Sequence, residues 1–205
     1  MRKGAVRTPK SVIIGKDNEF NPSREGFSFP VILKKPDSAF SIGVHKASDE
    51  ESFHEISGRL FESSELIMLQ EYIKSDFDWR VGVLGNEVIF ACKYYMAENH
   101  WQIYNWEDAG KDSFSGGFET LDPTKIPEIV TRTALKATSF IGDGLYGVDL
   151  KEKDGLVYVI EVNDNPSIEY GIEDKFAGTG LYHRIIMNMF ERIENSRNIR
   201  RFVSK

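Results

Sequence analysis

Cysteine is nearly absent from this chain, with Cys92 the only one in 205 residues. That excludes an internal disulfide and a thiolate zinc cluster. Its setting, Val88-Ile89-Phe90-Ala91-Cys92, reads as an apolar strand with no histidine nearby, so an inert, packed thiol is expected. The histidines, His45, His54, His100 and His183, form no metal-spaced set. Of these, His100 beside Trp101-Gln102 is the one placed to touch a substrate. Long apolar runs are missing too. No stretch approaches the roughly 20 residues a membrane span requires, and Met1-Arg2-Lys3-Gly4-Ala5 leads into no apolar signal region. The expected location is the cytoplasm, with no membrane partner. There is no long basic tract and the net charge is −6, so a nucleic-acid backbone is not an expected partner either.

What is present fits a folded chain. With 40% apolar and 28% charged residues, one compact unit or two small lobes sharing a cleft can bury a core. Strand patterns at residues 9–15, 30–34 and 67–72 surround a helix that Asp49 can cap, striped by Phe53, Ile56, Leu60 and Phe61 and ending at residues 62–65. These define a small lobe over residues 1–73. A second lobe, over residues 74–195, opens with strands at 79–84 and 87–92 around Gly85-Asn86, a strong hairpin signal. Residues 94–120 are rich in Trp, Asn, Ser and Gly and too long for a mere connector, which predicts a binding loop. A helix follows, with Asp122 as cap, Pro123 in its first turn, and Ile126, Ile129, Val130, Thr133, Ala134, Ala137, Phe140 and Ile141 at helical spacing. A last helix over 181–193 is expected to pack through Ile185, Ile186, Met189, Phe190 and Ile193, and residues 196–205 read as a basic tail.

The richest stretch is an apolar hairpin that ends in oxygen donors. Tyr146-Gly147-Val148-Asp149-Leu150 and Leu156-Val157-Tyr158-Val159-Ile160-Glu161-Val162-Asn163 flank a turn centred on Asp154-Gly155. Two-residue periodicity puts Val157, Val159, Glu161 and Asn163 on one face. A carboxylate interrupting an apolar face costs free energy unless it is paired or bound to a cation, and the strand carries no Lys or Arg to pair it. Turn parity adds a constraint. A strict two-residue turn would set Asp149 opposite Ile160, facing away from Glu161. An odd loop, Lys153-Asp154-Gly155, would place Asp149 opposite Val159 and diagonal to Glu161, about 7–8 Å away. That separation suits two carboxylates clasping one or two magnesium ions. The bland alternative is a sheet rim whose acids face water.

Two further constellations stand out. Val31-Ile32-Leu33-Lys34 drives a lysine out of the end of an apolar strand into the loop Asp37-Ser38-Ala39-Phe40-Ser41-Ile42-Gly43. Amides and hydroxyls in such a loop can close over phosphates above the lysine, although taken alone the segment fits a snorkelling lysine before a surface turn better. Leu69-Gln70-Glu71-Tyr72-Ile73 then leaves a strand at the lobe boundary. Its edge offers backbone groups to a purine rim, Asp78 lies within reach of ribose hydroxyls, and Arg80 suits a phosphate or carboxylate fork. The alternative for Arg80 is a surface ion pair with Asp76 or Asp78.

In order and spacing, Pro30-Val31-Ile32-Leu33-Lys34, Gln70-Glu71-Tyr72-Ile73, Asp78-Trp79-Arg80, Gly147-Val148-Asp149-Leu150 and Ile160-Glu161-Val162-Asn163-Asp164-Asn165-Pro166 resemble the signature of the ATP-grasp superfamily, nearest its RimK-like and glutathione-synthetase-like branch of carboxylate–amine ligases. The resemblance runs over residues 9–193. It implies an α+β ATP-grasp fold, two lobes with mainly antiparallel sheets gripping a nucleotide. By that resemblance Lys34 holds ATP phosphates, and the 38–43 loop, with Ser38, Ser41 and Gly43, forms the lid. Gln70, Glu71, Tyr72 and Ile73 present the adenine edge, and Asp78 binds ribose. Asp149, Glu161 and Asn163 would ligate two magnesium ions, or manganese, with Glu161 as the bridge. Arg80 and Lys93 match catalytic basic positions aimed at the triphosphate and acyl phosphate, and Asn165 lies in the loop that contacts ligand.

The implied reaction joins a small carboxylate to an amine, such as an amino acid or peptide, through an acyl phosphate. Ala39-Phe40 stands where many relatives place glycine, which implies a stiffer lid. Relatives also carry a substrate domain ahead of the first strand, with a second phosphate-binding lysine. Its absence here implies the ATP-grasp portion of a longer protein. Two other readings remain: a nucleotide-binding module inactive without that domain, and a phosphotransferase.

Overall fold

The computed structural model describes residues 6–36, 43–105, 110–111 and 114–203, with side chains through residue 197. Among them, nine strands and three helices form two antiparallel sheets, each with its own apolar core.

The first sheet joins β1 (Ser11–Gly15), β2 (Val31–Lys34), β3 (Val44–Ala47) and β4 (Leu66–Glu71) in the order β1-β4-β2-β3. Helix α1 (Glu50–Phe61) covers one face. It starts at the expected cap, where Asp49 Oδ1 accepts from the backbone N–H of Ser52 at 2.8 Å, and the Ser52 hydroxyl closes the reciprocal half of a capping box. Alternation does the rest. Val31, Leu33, Leu69 and Ile67 join Phe53, Ile56 and Leu60 in the core, so Ile32, Lys34, Met68 and Gln70 point the other way, into the interlobe cleft. The sequence pattern missed β3, whose Val44-His45-Lys46-Ala47 has no clean alternation.

The second sheet runs β7-β6-β5-β8-β9, with β5 (Phe77–Leu84), β6 (Glu87–Tyr95), β7 (Phe118–Leu121), β8 (Leu145–Lys153) and β9 (Leu156–Asn163). Helix α2 (Glu128–Thr138) packs Val130, Ala134 and Ala137 against Trp79, Val81, Val148, Leu150, Val157 and Val159. It begins later than the sequence suggests. Pro127 occupies the cap position, while Asp122 accepts from the backbone N–H and hydroxyl of Thr124 and caps only the preceding turn. Phe140 and Ile141 fall beyond its end and are exposed, as is Ile129. Helix α3 (Thr179–Val203) buries Leu181 and Ile185 against Leu84, Ile89 and Phe90 on the opposite face of the sheet. Contrary to the predicted stripe, Ile186, Met189, Phe190 and Ile193 are exposed, and the helix continues through residues set aside as a tail.

The β8–β9 hairpin corrects the parity argument. Lys153 pairs with Leu156, and both Asp154 (φ 53°) and Gly155 (φ 71°) are left-handed, which is a two-residue primed turn and not an odd loop. Parity is switched farther along by a β-bulge. Leu150 pairs with Val159 but Asp149 pairs with Glu161, leaving Ile160 as the extra residue. Val157 and Val159 therefore face the core, while Glu161 and Asn163 face the cleft beside Asp149. The glutamate never interrupts an apolar face.

Candidate nucleotide and metal cleft

A cleft of about 870 Å³ separates the two sheets. From the first sheet and the strand leaving it come Lys34, Gln70, Glu71, Tyr72 and Ile73. From the second come Asp78, Arg80, Asp149, Glu161, Asn163 and Asn165. The cleft thus collects most of the residues singled out from sequence. Ser38 and Ser41 lie outside the described residues, and Gly43 sits at the foot of β3 with φ 80°.

Lys93 is not brought in. Its register partners are Trp79 and Glu119, its ammonium lies 3.8 Å from the Glu119 carboxylate, and it packs over the rings of Phe77 and Trp79 at 4.7 and 5.1 Å. His100 stays outside as well, with its ring 6.0 Å from that of Trp101.

The charges converge on the bulged hairpin. Asp149 and Glu161 are direct cross-strand partners. Burial, then the charge of Asp149, pushes the Glu161 carboxyl above its usual range, and Lys34, Arg80 and the Asn163 amide only partly offset this. On the other side, burial lowers the Lys34 ammonium while Glu161 and Asp149 act to hold its proton. Arg80 grips Asp149 through a bidentate fork, Nε to Oδ1 at 2.9 Å and Nη2 to Oδ2 at 3.0 Å. The Asp76 or Asp78 pairing considered for it does not form. Burial disfavours its charge, but Asp149 outweighs this and leaves its pKa raised.

Asp78 has a different partner. Its Oδ1 accepts from Lys151 Nζ and from Ser75 Oγ, and burial still outweighs Lys151 and raises its carboxyl. Sequence reasoning missed Lys151, although two-residue spacing from Asp149 puts it on the same face. Tyr94, Trp101 and Tyr104, from the 94–120 stretch that the sequence marks as a binding loop, also line the cleft. Tyr72 and Trp101 meet edge to face at 6.1 Å, with the Lys46 ammonium 5.4 Å from both rings.

A divalent cation fits the hairpin. Two facing carboxylates with residual repulsion, beside an amide oxygen donor, suit a hard ion. Among the described residues no group of three His, Cys, Asp or Glu side chains is arranged to hold a metal. Asp149, Glu161 and the Asn163 amide are thus the oxygen donors that could hold one, and water or phosphate oxygens would have to complete its shell.

The RimK-like ATP-grasp domain matches residues 1–189. The coenzyme gamma-F420-2:alpha-L-glutamate ligase of Methanococcus maripaludis is 28% identical over 175 residues, 81% of this chain and 56% of that protein. A protein of Aliivibrio salmonicida named "probable alpha-L-glutamate ligase" is 31% identical over 153 residues, 74% of this chain and 46% of its own length. The chain thus spans about half the length of these relatives. In three dimensions, the D-alanine–D-alanine ligase of Bacillus anthracis superposes over 93% of this chain and 64% of its own, with TM-score 0.74 and 21% identity. Its ATP complex superposes over 92% of this chain and 61% of its own, with TM-score 0.69 and 19% identity. The fold is ATP-grasp, and the chain belongs to the RimK-like ATP-grasp domain family.

Proposed function

We propose that this chain forms the nucleotide- and magnesium-binding part of a carboxylate–amine ligase acting through an acyl phosphate. The observation that carries the proposal is the meeting of Lys34 from one lobe with Arg80, Asp149 and Glu161 from the other in a single cleft. In this reading residues 1–73 and 74–195 act as the two jaws. Phosphoryl transfer demands charge neutralisation and alignment more than proton movement.

Lys34 supplies a point charge to the triphosphate, and Arg80 offers a planar fork to a phosphate or to the acyl phosphate. The edge formed by Glu71, Tyr72 and Ile73 faces the base, with Asp78 and Lys151 at the sugar. Asp149, Glu161 and Asn163 would hold magnesium, which when bound neutralises phosphate charge. A substrate carboxylate oxygen attacks the γ-phosphorus and ADP leaves. The amine nitrogen then attacks the acyl carbon, phosphate leaves with the bonding pair, and the nitrogen gives up a proton to solvent. Relatives named for glutamate make an amino acid or short peptide, glutamate first, the substrate class to try. In this reading the chemistry belongs in the cytoplasm, where ATP is supplied.

The test is phosphate release from ATP in the presence of single amino acids, with the longest available form of the protein. Release that depends on both magnesium and an amine is expected, and Glu161→Gln should reduce it at least about 100-fold while leaving the fold intact. Turnover in Glu161→Gln equal to the unsubstituted protein contradicts the metal assignment. ATP binding without turnover would indicate a binding module, and a stable phosphorylated product formed without amine would indicate a phosphotransferase.

A further inference from the structure

Glu173 plays no part in that scheme, yet it is among the most buried side chains, at 1% exposure. A carboxylate so placed needs partners for both oxygens. Tyr94 Oη donates to Oε1, and the backbone N–H of Glu169 donates to Oε2 at 2.8 Å. Neither partner carries charge. A positive charge lies one layer away, where the Arg80 guanidinium sits over the Tyr94 ring at 5.5 Å from its centroid. Carboxylate, phenol and guanidinium thus lie in succession on the cleft side of the sheet. A phenol that donates to an anion gains electron density in its ring, which strengthens attraction to a cation on its face.

Arg80 has one other strong partner, the bidentate Asp149. Asp149 is also a cation ligand in the proposed function, on which this inference rests. Once its oxygens turn to a cation, the guanidinium loses its fork and is left with Glu161, itself a proposed cation ligand, and the groups behind it. We infer that Tyr94 and Glu173 are positioning residues for Arg80: the Glu173 charge, relayed through the Tyr94 hydroxyl and ring, keeps the guanidinium in the cleft after Asp149 is given to metal, so that it faces phosphate.

The competing role is structural. Glu173 also fastens its own loop through the Glu169 N–H, and the neighbouring Ile172 carbonyl accepts from Thr120 Oγ1 at 2.7 Å.

Two measurements separate these roles, each using both Tyr94→Phe, which keeps the ring, and Glu173→Gln, which keeps the shape. The first needs no nucleotide. In Asp149→Ala, where the fork is gone, the Arg80 Nε–H signal in 15N spectra should remain protected from water. Adding either substitution should speed its exchange about tenfold, the worth of one hydrogen bond to a charged group. Equal exchange with and without the second substitution overturns the inference.

The second compares affinities for magnesium-ATP and for adenosine by calorimetry. Each single variant should weaken ATP about tenfold and leave adenosine unchanged, with no further loss when combined with Arg80→Ala. Losses that simply add to that of Arg80→Ala assign Glu173 to the loop alone and overturn the inference. Failure of the unsubstituted protein to bind ATP would sink the nucleotide reading, and the exchange measurement would still decide the role of Glu173.

Discussion

Cys92 shows what burial does to a single reactive group. It is fully buried, its Sγ contacts Thr120 Oγ1 at 3.7 Å, and burial pushes the thiol up to about 11. A thiol whose pKa is higher in the fold than in the unfolded chain adds stability that is present below the unfolded value and lost as pH rises towards the folded one. The loss should fall between roughly pH 9 and 11 and be on the order of 2–3 kcal/mol. Urea melts at pH 8 and pH 10.5 should show a steeper alkaline decline for the unsubstituted protein than for Cys92→Ala, and parallel declines would remove Cys92 from the account. The inertness was legible from the apolar run around it. Glu173 was not, because a glutamate ten residues past Asn163 carries no local mark of burial until Tyr94, far away in sequence, closes over it.

At the scale of the element, the β8–β9 hairpin separates what a pattern encodes from what it hides. The two strands and the Asp154-Gly155 turn are legible because strand alternation and turn chemistry are local. The bulge at Ile160 is not, since no residue type marks it, and it is the bulge that turns Glu161 from the core to the cleft. The α2 start was misread because Asp122-Pro123 is as good a turn signal as a cap.

Two glycines in β8 and its turn make opposite predictions. Gly155 has φ 71° and no atom near an added Cβ, so Gly155→Ala should lower unfolding free energy by about 1–2 kcal/mol through backbone strain with nucleotide affinity unchanged. Gly147 pairs with Asn163, and its added Cβ would lie 2.7 Å from Pro166 Cβ. Gly147→Ala should therefore push the segment after Asn163 outward, costing about 1–3 kcal/mol and weakening magnesium-nucleotide binding as well. Unaltered binding in Gly147→Ala would show that the turn through Asn165 is not part of the site.

The described residues build two sheets, each over its own core, with a smaller apolar cluster under α3 and a cleft between the sheets. Among the described residues no strand of one sheet pairs with a strand of the other. The lobes are tied by the segment at residues 72–76 and by bonds such as Val159 N–H to the Arg7 carbonyl at 2.8 Å. The two-lobe division was legible because each sheet is built mostly from neighbours in sequence, while the uncovered apolar side of α3 was not, since periodicity marks an apolar stripe without saying what meets it. Lobes joined so lightly respond to whatever bridges them.

A ligand held by Lys34 on one side and Asp149 and Glu161 on the other should stabilise both lobes together. At about 100 times its dissociation constant, a non-hydrolysable ATP analogue with magnesium should add roughly 2.7 kcal/mol, a rise of about 5–10 °C in Tm for a chain of this size. Adenosine, which in the proposed reading reaches the edge at residues 71–73 and Asp78 but not these charges, should give much less. A chelator, or Lys34→Ala, should remove most of the rise. Scanning calorimetry reads all four conditions directly. Because the bridge is made of phosphate and metal, an equal rise with adenosine alone, or one indifferent to chelation, would mean that the cleft does not join its lobes through the charges described here.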